Sequence, residues 1–208
     1  MRKKADALRQ QQREAEEIRQ QDINAVDYAL RQTFSYLSDL LKQLEVIRPT
    51  SSAAYALPRI GDMRELKFSE SFIDYRRKRM GDREVFDYVT FFVKWAGERD
   101  LVVVRDMPPE IEKVRNQLYD CNLKFDLNEE RDERHALVKA TFTIPCQIRT
   151  DVWIRGLHAE AKVRIEARNL QRFEVDEFLI PAQDVNEATL EEFARTLLGE
   201  RSSLGRYR

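Results

Sequence analysis

Apolar residues recur at seven-residue spacing through the N-terminal quarter of this chain, and nothing else in it constrains the fold as tightly. Ile23, Leu30, Leu37 and Leu44 form one series, and Val26, Thr33, Leu40 and Ile47 form a second three residues later. These are the a and d positions of a heptad, which demands an α-helix and asks for something to cover the stripe. Phe34 and Leu41 widen the stripe, and Thr33 interrupts it with a hydroxyl. The spacing predicts helix–helix association, with Ile23, Val26, Leu30, Leu37, Leu40, Leu44 and Ile47 as the seam of a homo-oligomer. A widened stripe also suits packing on a globular body of the same chain.

Residues 2–20 are rich in Gln, Arg and Glu, with only Leu8, Ala15 and Ile18 as spaced apolar positions. Good helix formers continue the helix here, but the seam is weak and the first turns should fray. Pro49 ends it, because the ring pushes Arg48 out of the helical region. Small and polar residues from Thr50 to Ala54, then Pro58 and Gly61, read as a linker. The expected division is a helical arm over 1–48, a linker over 49–63, an α+β domain over 64–199 and a disordered tail over 200–208.

Strands dominate the remainder. Leu66, Phe68, Phe72 and Tyr75 mark a first extended segment, and Met80-Gly81-Asp82 reads as a turn. Val85–Ala96 carries Val85, Val89, Phe91, Val93 and Trp95 on one face and Phe86, Tyr88 and Phe92 on the other. Apolar residues on both faces predict a central strand covered on both sides. Leu101–Val104 returns after a turn, and Pro108-Pro109 opens a short helix along Ile111, Val114 and Leu118. Leu123, Phe125 and Leu127 alternate as a strand, and Asn128–Arg134 reads as a charged loop. Further strands follow around Val138–Ile144, Ile148–Ile154 and Val163–Ala167, with a bend at Pro145. The phase slips between Val175 and Phe178, which a bulge near Asp176-Glu177 would explain. Asn186 or Asp184 caps a last helix along Leu190, Phe193, Ala194, Leu197 and Leu198, and Gly199 stops it. The fold class is α+β: a long N-terminal helix with a coiled-coil-like seam, then a mainly antiparallel sheet or partly closed barrel with two short helices.

Charge argues against a general nucleic-acid binder. Lys+Arg number 36 and Asp+Glu 37, a formal net charge of -1. No apolar run reaches the roughly 18 residues of a membrane span, and no apolar core follows the basic N-terminus as in a signal peptide. The expectation is a cytoplasmic protein. Cys121 and Cys146 sit in no metal-ligand spacing and read as packed, reduced thiols.

Two clusters invite a functional reading. Arg76-Arg77-Lys78-Arg79, with Arg83 beyond the turn, is the densest positive run and could contact phosphates. The competing reading is a solvated hairpin tip balanced by Asp74, Asp82 and Glu84. Arg149, Trp153 and Arg155 share the polar face of one strand, where an indole among arginines stacks bases or anchors a partner. Interleaved Asp151, Glu160, Glu166 and Glu174 make cross-strand ion pairs an equal explanation. His135 and His158, both at expected loop edges, read as ordinary, although either could serve as a base oriented by Asp132 or Glu160. Nucleophile elbow, Gly-rich phosphate loop and HExxH signatures are absent, so no catalytic residue, metal site or cofactor is assigned.

The reading that follows is a non-enzymatic interaction or scaffold protein. It self-associates through its helix and presents a β-rich domain to a protein partner. The alternatives are a nucleic-acid-binding module using the hairpin 76–83 and the Trp153 face, or a small ligand-binding or enzymatic domain without visible motifs.

Overall fold

A computed structural model describes the backbone of residues 2–208 and the side chains of Asp6 and residues 9–208; the Leu8 side chain lies outside them. Helix α1 spans Arg2–Ile47, about 69 Å at 1.5 Å per residue. It ends as expected. Arg48 adopts a left-handed φ of 47°, its N–H still bonds the Leu44 carbonyl at 2.8 Å, and Pro49 follows.

Three antiparallel sheets follow. Tyr55–Leu57 (β1) pairs with Gly61–Met63 (β2). Lys67–Met80 (β3), Arg83–Ala96 (β4), Gln147–Leu157 (β8), Lys162–Arg168 (β9) and Val175–Pro181 (β10) form a five-stranded sheet in the order β10-β9-β8-β4-β3. Leu101–Arg105 (β5), Asp126–Arg131 (β6) and Leu137–Ile144 (β7) form a third sheet in the order β5-β7-β6, backed by helix α2, Pro108–Asp120. Helix α3 spans Glu187–Leu197, and the Asn186 side chain caps it by accepting the Thr189 N–H. The β4–β8 ladder runs on into β5–β7 through a bend at Gly97 and Pro145-Cys146, where the Gly97 N–H bonds the Cys146 carbonyl at 2.7 Å. The sheets stay open, and no barrel closes among the described residues.

The heptad stripe meets the chain's own sheet. Helix α1 lies across β3, β4, β8 and β9 and buries Ile23, Val26, Leu30, Leu37 and Leu44. Thr33 is buried too, and its hydroxyl is satisfied by the Ala29 carbonyl at 2.8 Å. Leu40 is half-buried, whereas Ile47 is 67% exposed. The stripe expected as an intermolecular seam is thus covered largely within the chain. The apolar stripe is widened by Phe34 and Leu41, and a broad sheet covers a wide stripe better than one narrow helix does. Residues 9–21 of α1 are all exposed.

Closest approach occurs at Gly156 of β8. A Cβ there would lie 2.7 Å from Val26 Cγ1 and 2.9 Å from Leu30 Cδ1, so only glycine lets the helix sit this low. Phe193 of α3 meets Phe91 edge-on at 6.1 Å, and α3 with α1 covers the inner face of the large sheet.

Other expectations change as well. Segment 49–63 is no linker, since Ser51, Ala53, Tyr55, Leu57 and Met63 are buried. The Tyr55 hydroxyl donates to the Asn169 and Leu170 carbonyls, and burial raises its pKa to about 12. The tail 200–208 is ordered rather than free. Leu204 is buried, Ser203 N–H bonds Glu192, and Arg208 pairs with buried Asp176 at 2.6 Å. Tertiary contacts at its far end hold a segment that composition alone would release. Asn128–Arg131 of the expected charged loop belong to strand β6, stabilised by cross-strand pairs such as Lys139–Glu130. Register in β10 is continuous, so no bulge forms; Val175 is exposed while Asp176, Phe178 and Ile180 take the buried face, which accounts for the phase slip.

Candidate functional site

Strand β4 decides which face is free. Val89, Phe91, Val93 and Trp95 point into the core, while Tyr88, Thr90, Phe92 and Lys94 point away from both helices. The expected covering on both sides is absent, and β4 stands next to the edge strand rather than at the centre. Phe86 is buried on the core side all the same. The ladder shifts register between Arg76 and Arg77, skipping Asp87, and this turns the end of β4.

Cross-strand register then assembles the outer face in rows. Arg76, Tyr88, Arg155 and Arg164 lie side by side on β3, β4, β8 and β9. The next row holds Asp74, Thr90, Trp153 and Glu166. A third holds Phe72, Phe92, Asp151 and Arg168. Aromatic rings pair between neighbouring strands: Tyr88 with Trp153 at 5.1 Å and Phe72 with Phe92 at 6.1 Å. Phe72 is 57% and Trp153 44% exposed. Guanidinium groups sit over the rings, Arg149 at 4.0 Å from the Phe92 centroid and Arg155 at 5.3 Å from Trp153. Such contacts draw the cation to the negative face of the ring.

Some of the charge is neutralised locally. Lys94 pairs with Glu70 at 2.6 Å, Arg149 with Asp151 at 2.8 Å and Arg164 with Glu177 at 3.2 Å. Arg76, Arg155 and Arg168 make no ion pair among the described residues. At one end the face runs into a cleft of about 620 Å³ under the loop after α2, lined by Lys94, Lys124, Arg149 and Arg168 beside Glu70 and Asp151.

The basic run 76–79 does not act as one patch. Only Arg76 joins the outer face. Arg77 lies 5.3 Å from both the Tyr75 and Phe86 ring centroids, and Phe34 of α1 packs on the same two rings. Lys78 pairs with Asp87 at 2.7 Å, and the Arg79 side chain bonds the Gly81 carbonyl in its own turn. Charge on this run also suits β3 as an edge strand, where lysine and arginine discourage pairing with another chain. Structure thus brings together Arg76, Arg149, Trp153 and Arg155 and sets Arg77, Lys78 and Arg79 apart. Phe72, Tyr88 and Phe92 complete the site; the sequence marks Phe72 only as part of an extended segment, and its two-sided apolar pattern places Tyr88 and Phe92 on a covered face. Their signal was present, because Asp74, Thr90 and Lys94 alternate in phase with them and mark a wet face.

The histidines do not form a catalytic pair. His135 sits exposed in the 132–136 turn, where the Asp132 carboxylate accepts the Arg134 and Ala136 backbone N–H groups. His158 is 4% exposed beneath α1; its Nδ1 lies 3.2 Å from the Gly156 carbonyl and its Nε2 has no partner. Burial, then Lys78, lowers its pKa, against the raising pull of the Gly156 carbonyl, Asp87 and Asp27. Cys121 and Cys146 are free thiols, both pushed up by burial and so less reactive than an exposed cysteine. Among the described residues no cluster of His, Cys, Asp and Glu could hold a metal, and no helix is long and apolar enough to cross a membrane. Comparison with protein-family models, curated proteins and solved structures finds no match to this chain.

Proposed function

We propose that this chain is a non-enzymatic interaction protein that recognises another macromolecule with the uncovered face of its five-stranded sheet. One observation carries the reading: each of two aromatic pairs, Tyr88–Trp153 and Phe72–Phe92, sets one exposed ring beside a half-buried one on a face overlaid by guanidinium groups. Exposed rings among arginines are the composition of a binding hot spot, and leaving them bare costs solvation free energy that docking recovers. Residues 9–21 of α1 are the stretch of this helix open to self-association, because the stripe beyond them is occupied within the chain. The unpaired thiols of Cys121 and Cys146 fit a reducing compartment such as the cytoplasm.

Oxidative footprinting of Phe72, Tyr88 and Trp153, in the purified protein and in extract of the source cells, tests this reading. Protection of the three rings in extract, with Ile47 equally reactive in both, is the expected result. Equal labelling of the three rings in both conditions would overturn it.

A further inference from the structure

We infer that the occupant of the uncovered sheet face is a single-stranded nucleic acid, its bases stacked on the aromatic rows and its phosphates held by the unpaired arginines. The inference rests on the reading of this face as a docking surface and goes on to name what docks.

Three features select this occupant. First, the rings lie in pairs on adjacent strands, Phe72 and Phe92 stacked at 28° and Tyr88 and Trp153 tilted at 48°, and the two β4 members, Tyr88 and Phe92, are four residues apart. That separation is about 13 Å at 3.3 Å per strand residue, which bases two nucleotides apart on an extended strand can span. Every base has a π-face, so such a platform needs no particular sequence. A duplex keeps its bases paired and stacked, and cannot offer those faces. Second, Arg76 and Arg155 flank Tyr88 in its own row, and Arg168 ends the row of Phe72 and Phe92. None of the three is neutralised by a carboxylate among the described residues, so each is free for a phosphate. Third, the face continues into the cleft where Lys124 joins Lys94, Arg149 and Arg168, which extends a cationic track beyond the rings. A protein partner anchored by a hot-spot side chain would ask instead for a deep apolar socket. The hollow on this side is no such socket, because six charged side chains share its lining with the apolar ones.

Carboxylates limit the strength. Glu166 lies opposite Trp153, and Glu70 and Asp151 hold Lys94 and Arg149. Three free arginines give a salt slope of about −2 for a single strand, so affinity should fall roughly tenfold between 50 and 150 mM salt.

The test is an anisotropy titration of the full chain with labelled oligo-U, oligo-dT and a mixed duplex. The single strands should bind with micromolar affinity at ~50 mM salt and the duplex at least tenfold more weakly. Trp153→Ala and Tyr88→Ala should each weaken binding, by roughly 5- to 150-fold if a base stacks there. Arg76→Ala with Arg155→Ala should flatten the salt slope by about 1.4. Lys113→Ala on α2 should change nothing, and thermal melts confirm that each variant is folded. Absence of binding at ~100 μM, duplex bound as well as single strand, or ring variants binding like wild type would overturn the inference. Nuclease treatment of the extract separates the two levels. Ring protection that survives nuclease, with no oligonucleotide binding, assigns the face to a protein and leaves the docking reading intact. Rings unprotected before treatment end both.

Discussion

Leu37 and Ile47 both fall on the heptad stripe in the sequence and take opposite places in the structure. Leu37 is fully buried between α1 and the sheet, whereas Ile47 is 67% exposed. Leu37→Ala removes buried methyl groups and leaves a cavity that a sheet-backed site cannot collapse, a cost of about 2–5 kcal/mol. Taking about 3 kcal/mol, and about 2–4 °C per kcal/mol for a chain of this size, Tm should drop by roughly 6–12 °C. Ile47→Ala should cost under ~0.5 kcal/mol, since it gives up little burial. Scanning calorimetry of both variants and wild type, at protein concentrations about a hundredfold apart, reads both the magnitude and its origin. A stripe packed within one chain gives a Tm independent of concentration, because no association is linked to unfolding. If the two variants melt alike, or the Tm of wild type climbs with concentration, the stripe is buried between chains and the packing described for α1 is wrong.

Two further outcomes follow from the seat of α1. His158 has a pKa lowered by burial and by Lys78, so the unfolded chain, near 6.5, binds the extra proton more readily. Stability should therefore fall as pH drops through about 6.5 and towards the folded pKa, by up to ~1.4 kcal/mol per pH unit, and urea midpoints of wild type and His158→Phe between pH 7.5 and 5.5 would show whether that slope belongs to this ring. Gly156→Ala places a methyl 2.7 Å from Val26, 2.8 Å from His158 and 2.9 Å from Leu30, and should cost about 1–3 kcal/mol by overpacking; an unchanged denaturant midpoint would mean the helix can lift away freely.

The elements themselves were largely legible. Heptad spacing marked α1 to within a residue of its end, Pro49 and the left-handed Arg48 explained the stop, and Asn186 and Gly199 bounded α3. Alternation found most strands, because a period of two is a local property of the backbone. Errors arose where distant contacts outweigh local chemistry. Polar residues Asn128–Arg131 became strand because β7 offers a ladder and opposite charges. The small, polar stretch 49–63 became core because Tyr55 reaches the carbonyls of residues 169 and 170.

For the candidate site the division is sharper. By itself the sequence determined that one stripe of α1 must be covered and that Arg149, Trp153 and Arg155 share a strand face. It could not say what covers the stripe, since a heptad specifies a surface and not its owner. Nor could it tell which aromatic face of β4 is buried, because Phe91 and Phe92 are equally apolar and alternation carries no sign. Only the tertiary structure decided both, by laying α1 and α3 on the same side of the sheet. That choice buries Phe91 and leaves Phe92 half-buried on the outer face beside exposed Phe72, and the register across four strands then gathers Arg76, Tyr88 and Arg155, residues far apart in the chain, into one row.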